Sequence, residues 1–120
     1  MTRRLFLIVV PTGLMTAAIC FLTLAPHYRF HTDLRVIALL EHVLAYALLM
    51  LPTAVLRPGW LHRLWPLAAA MAGAIELAQP QFGRQATLLH FVASCFGIAL
   101  TTLASLLTVD VREFLRRGAR

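Results

Sequence analysis

The 120-residue chain contains no lysine, only five acidic residues, and 13% charged residues in all. Soluble domains carry roughly 25%, so this composition excludes an ordinary water-soluble globule. Cysteine is scarce too, with Cys20 and Cys95 alone, neither having a CxxC partner or metal-ligand spacing. At the rise of a membrane helix their depths differ by about 6 Å, too much for a comfortable disulfide, and both read as small, soft core residues. Internal repeats, low-complexity tracts and linkers are also missing. The chain therefore reads as one domain, residues 1–120.

What is present is apolar: 60% of the residues are hydrophobic. A membrane-crossing helix needs about 20 mainly apolar residues. Four stretches are expected to span, approximately 5–25, 36–56, 64–79 and 86–109, giving an all-α integral membrane bundle of four transmembrane helices. Pro26, Pro58 with Gly59, and Pro80 punctuate the joins. Trp60, Trp65 and Tyr28 fall near helix ends, where amphipathic rings favour the interface. Arg3 and Arg4 followed by an apolar run and Thr23-Leu24-Ala25 look like a signal peptide. The run exceeds the usual 7–15-residue core of such peptides, so it is read as a retained helix, bent near Pro11 and Gly13.

All eleven basic residues are arginine, and they are unevenly placed. Arg3, Arg4, Arg57, Arg63, Arg112, Arg116, Arg117 and Arg120 flank one side of the expected bundle, against Arg29, Arg35 and Arg84 on the other. The positive-inside rule then puts both the N and C termini in the cytoplasm. The net charge of +6 is thus a topology signal. These arginines flank spans instead of forming one soluble basic face, so no nucleic-acid partner is expected.

Against this background Glu41, His42, Glu76 and His90 stand out, each inside an apolar stretch. An ionisable side chain costs at least about 2.5–3.5 kcal/mol at a membrane helix centre, and such residues usually mark function. Helical rise puts Glu41 and His42 about 8–9 Å below the outer start of the second span, and Glu76 and His90 each roughly 6 Å from the outer face. Gln79 falls within about 2 Å of that face. Arg84 lies in the short turn between the last two spans. In the fourth span, His90, Ser94, Gly97 and Thr101 follow i, i+4, i+7, i+11 spacing, a stripe suited to close helix packing. Ala69, Gly73, Glu76 and Gln79 share a broad face of the third. His42 and Tyr46 are an i, i+4 pair in the second, and Glu41 is turned about 100° away from His42.

The run Glu76-Leu-Ala-Gln79-Pro-Gln-Phe-Gly-Arg84-Gln-Ala-Thr87 resembles the E-x-x-Q…R-x-x-S/T signature of VanZ-like membrane proteins. His42 and Tyr46 match the His-x-x-x-Tyr pair that accompanies it in an earlier helix. Where the family commonly carries Asp, Asn and then Gly residues, this chain has His90, Ser94, Gly97 and Thr101. The resemblance covers roughly residues 35–105. It implies a multi-pass protein of the bacterial cytoplasmic (inner) membrane, in a family linked to resistance to the glycopeptide teicoplanin.

The expected site is accordingly His42, Tyr46, Glu76, Gln79, Arg84 and His90, a ligand-binding layer in the outer leaflet. Arg84 is expected to hold an anionic group, since its planar fork matches phosphate oxygens. The partner would be a membrane lipid or a lipid-linked envelope precursor. No metal and no cofactor are expected. Enzyme chemistry, with His42 as base and Glu76 orienting it, is the weaker reading because no separate nucleophile or phosphate-cradling glycine loop is present. Two further alternatives are a polar layer that only locks helices and a small proton-coupled transporter. Against the latter, the small multidrug exporters place their essential Glu in the first helix, and residues 5–25 here contain no ionisable carboxylate.

Overall fold

Long apolar runs in this chain form helices because leucine, alanine and other good helix formers dominate them and each backbone group is satisfied within its own segment. A computed structural model describes residues 2–24, 35–83 and 85–118, with residues 4, 35 and 111–118 described by backbone alone. Four helices result: α1 (Arg3–Leu24), α2 (Arg35–Leu56), α3 (Leu61–Ala78) and α4 (Leu88–Gly118). No strand occurs among the described residues.

Prolines set the joins. Arg57 precedes Pro58, and the proline ring drives it out of helical conformation to φ −149°, ψ 67°, ending α2 before a short 3-10 turn at Pro58–Trp60. A second 3-10 turn, Gln79–Phe82, follows α3 and closes at Gly83. Gly83 adopts φ +73°, a left-handed conformation that glycine takes without steric cost. Pro11, Pro52 and Pro66 lie inside α1, α2 and α3, each removing one helical hydrogen bond.

The closest pair is α2 with α4. The His42–Ser94, Thr101–Ala47 and Ser105–Ala54 contacts join residues 52, 54 and 51 apart in sequence. A near-constant offset of this kind requires parallel helices. Gly97 permits the approach: a Cβ there would collide with the Val43 carbonyl oxygen and sit 3.1 Å from the Ala47 nitrogen. The Thr101 hydroxyl donates to the Ala47 carbonyl at 3.1 Å, and the Ser105 hydroxyl to the Ala54 carbonyl at 3.0 Å. The Ala54 carbonyl needs this donor, because the residue four positions on is Pro58, which has no N–H.

Packed against this parallel pair, α3 runs antiparallel to α4, and α1 packs mainly on α2. Ile19, Tyr46, Leu49, Met50, Ala72 and Ile98 form the centre of the buried cluster. Most of the remaining large apolar side chains face outward, including Leu77, Leu88, Leu89, Phe96 and Leu107. Outward-facing leucines along entire helices suit a lipid environment.

Three helices are long and apolar enough to cross a membrane: 5–24, 36–56 and 88–110. The expected 36–56 span coincides with the second of these. The expected 64–79 span is a helix, but a shorter one that begins at Leu61, and it is not among the three. His62, Arg63 and Glu76 lower its apolar character at both ends. α4 outruns its expected end at 109, continuing as helix to Gly118.

Candidate functional site

Three helix ends meet at one end of the bundle: the start of α2, the finish of α3 and the start of α4. Glu76 sits in the last turn of α3, where the negative end of its own helix dipole disfavours a carboxylate. It is nonetheless buried, at 8% exposure. The compensation comes from α4. The Thr87 backbone N–H donates to Glu76 Oε1 at 2.5 Å, at the positive end of the α4 dipole. Thr87 also caps that helix, its hydroxyl oxygen accepting the His90 N–H at 3.3 Å.

His90 continues the layer. Its Nδ1 lies 3.5 Å from Glu76 Oε1, an ion-pair distance without hydrogen-bond alignment, so Nδ1 has no hydrogen-bond partner. On its other side the His90 ring stacks on His42, with centroids 4.6 Å apart and planes inclined by 8°. The two imidazoles thus form a plate between α2 and α4, with Glu76 at its edge.

Ser94 orients the second ring. Its hydroxyl donates to the His90 carbonyl at 2.9 Å, and the same oxygen lies 3.1 Å from His42 Nδ1. A serine hydroxyl has a single hydrogen to give. With that hydrogen committed to the carbonyl, Ser94 accepts from His42, which is therefore protonated on Nδ1. In the neutral ring Nε2 is then the basic nitrogen.

Gln79 lies one turn beyond Glu76 and opens the 3-10 turn. It is 1% exposed, and its side-chain carbonyl oxygen has no hydrogen-bond partner. Buried acceptors without donors are uncommon and call for an explanation. Tyr46, 2% exposed, sits one turn below His42 in the apolar cluster beside Met50 and Ile98. Glu41 is exposed on the outward face of α2. Arg84 lies outside the described residues.

Of the expected residues, the structure therefore joins His42 to His90 and His90 to Glu76, places Gln79 one turn beyond Glu76, and sets Tyr46 one turn below His42. The expected link from His42 to Glu76 runs through the stacked His90 ring. Two members went unsingled in the sequence: the Thr87 N–H, because a backbone donor leaves no composition signal, and the Ser94 hydroxyl as an acceptor for His42. The signal for Ser94 was its place one turn after His90 on the polar stripe. Among the described residues no group of three His, Cys, Asp or Glu side chains is placed to hold a metal ion.

No family model, curated protein or solved structure matches this chain.

Proposed function

We propose that this chain is a VanZ-like, multi-pass protein of the bacterial cytoplasmic membrane whose outer polar layer binds the anionic head group of an envelope lipid or lipid-linked precursor. In this reading α3 is a fourth crossing, both termini are cytoplasmic, and the layer of His42, Glu76, Gln79 and His90 lies in the outer leaflet, with Arg84 of the α3–α4 connection assigned to the anion.

One observation carries the reading. The Glu76 carboxylate is satisfied within the bundle by the Thr87 N–H and flanked by His90. The layer's own negative charge is therefore met among the described residues, and in this scheme the Arg84 guanidinium is assigned to an incoming anion because its planar fork matches phosphate oxygens. The buried Gln79 oxygen supports the same reading, since a hydroxyl or amine of a head group is the kind of donor it lacks. The His42 ring is fixed in place by Ser94 and by stacking on His90.

A second reading rests on its own observation. The Thr87–Glu76 and His42–Ser94 bonds tie α3 to α4 and α2 to α4, which is what a pure helix lock requires. Native mass spectrometry of detergent-purified wild type beside Arg84→Ala separates the two. Head-group binding predicts a co-purifying anionic lipid lost in the variant, with the melting temperature unchanged. Equal lipid content in both proteins would leave the lock as the function of the layer.

A further inference from the structure

Beneath the polar layer, the seam between α3 and α4 changes character. Its antiparallel register is read from paired residues: Glu76 with His90, then Gly73 with Phe91, whose ring lies 3.5 Å from where a Gly73 Cβ would be. The next pairs in the same register are Ala69 with Cys95 and Trp65 with Ala99. All four line an open groove of about 370 Å³, joined by Ile98 and Thr102. The phenyl ring fills the seam above, while Ala69, Cys95 and Ala99 are too small to fill it below.

The groove offers no unmet polar group from its one hydroxyl, because Thr102 donates to the Ile98 carbonyl at 2.8 Å. Ala99 and Trp65 on its rim are exposed, so it opens sideways into the surroundings of the bundle. From Cys95 to Thr102 it runs roughly 10 Å along α4, starting about 8 Å below His90. A helix with its side chains is about 10–12 Å across and over about 10 Å of length occupies more than twice the groove's volume, whereas a hydrocarbon chain of that length fits within it.

We propose that this groove holds an acyl chain of the lipid whose head group the polar layer takes. The inference rests on the head-group reading above and adds to it that the ligand enters from the bilayer, between α3 and α4. The order along the seam matches a glycerolipid: charged and hydrogen-bonding groups outermost, an aromatic contact, then an apolar slot.

The test uses the full chain carrying Cys20→Ser, which leaves Cys95 as its single thiol, reconstituted in detergent. Native mass spectrometry measures retention of dipalmitoyl-phosphatidylglycerol, dihexanoyl-phosphatidylglycerol and dipalmitoyl-phosphatidylcholine, with glycerophosphate as the tail-free probe. Alkylation of Cys95 by N-ethylmaleimide reports occupancy of the groove. The long-chain anionic lipid is expected to bind best and to slow alkylation, while glycerophosphate does not. Ala99→Phe, at an exposed position, is expected to cut long-chain retention about tenfold or more, the effect of keeping two or more methylenes out of an apolar site, and to leave short-chain binding unchanged. If long- and short-chain phosphatidylglycerol bind equally and Ala99→Phe alters neither, the groove assignment falls while head-group binding stands. If both dipalmitoyl lipids bind equally, ignore Arg84→Ala and still protect Cys95, head-group recognition falls and the tail site stands. A dimer mass that disappears in Ala99→Phe would assign the groove to a second copy and overturn the proposal.

Discussion

The Ser94 hydroxyl accepts the His42 Nδ1–H at 3.1 Å because its own hydrogen is committed to the His90 carbonyl. One small side chain thereby bridges α4 to an imidazole on a different helix. Removing it in Ser94→Ala leaves a partly buried N–H without this acceptor, a loss of about 1–3 kcal/mol. The expected result is a lower melting temperature in detergent, together with nitrogen NMR shifts of His42 that move toward the Nε2-protonated form. Unchanged shifts would show that another contact holds the ring.

The Thr87 N–H and the Glu76 carboxylate present a case where charge and hydrogen bonding can be separated. Glu76→Gln keeps an acceptor for the N–H and removes the charge facing the α4 N-terminus. Glu76→Ala removes both. The dipole contribution alone is about 0.3–1 kcal/mol, up to ~2 in partly buried geometry, while an orphaned N–H adds about 1–3 kcal/mol. Thermal unfolding should therefore rank wild type above Gln and Gln above Ala. Equal stability of the two variants would mean that the bond carries nothing beyond the charge.

Gly97 is the point of closest approach between α2 and α4, and only hydrogen fits there. In Gly97→Ala the new methyl meets backbone, the Val43 carbonyl and the Ala47 nitrogen, so no side chain can swing aside. The helices must separate, stretching the Thr101–Ala47 and His42–Ser94 bonds on either side. Overpacking of this sort costs about 1–3 kcal/mol. Melting in detergent checks the cost, and an Ala variant as stable as wild type would contradict the packing described.

These residues also show what was legible in the sequence. Span 36–56 was readable because Glu41 is its only acidic or basic residue apart from His42, and apolar length alone fixes such a helix. The common depth of His42, Glu76 and His90 followed from helical rise, which needs only the helix ends. The stripe of His90, Ser94, Gly97 and Thr101 correctly marked a contact face. Its partner was not legible, because a periodic face says nothing about which helix covers it. The parallel α2–α4 pairing emerges only from contacts such as Ser105 with Ala54. Stacking of His42 on His90 depends on side-chain rotamers, which spacing does not encode.

The remaining prediction concerns α3, whose apolar stretch is the weakest. Between Arg63 and Glu76 lie twelve residues without charge, which at helical rise reach only about 18 Å of a hydrocarbon core near 30 Å. The proposed crossing requires the exposed His62 and Arg63 to reach one interface with their side chains, while Glu76 is shielded at the other end by Thr87 and His90. In the same proposal α3 returns the chain from the end of α2 to the start of α4, as the parallel run of those two helices needs. With the N-terminus inside, four crossings leave the C-terminus inside and three leave it outside. Alkaline phosphatase is active only outside the cytoplasm, so a fusion after residue 120 is expected to be inactive and one after Phe82 active. A C-terminal fusion with full activity would remove α3 from the membrane, and with it the outer-leaflet placement of Glu76 and Gln79.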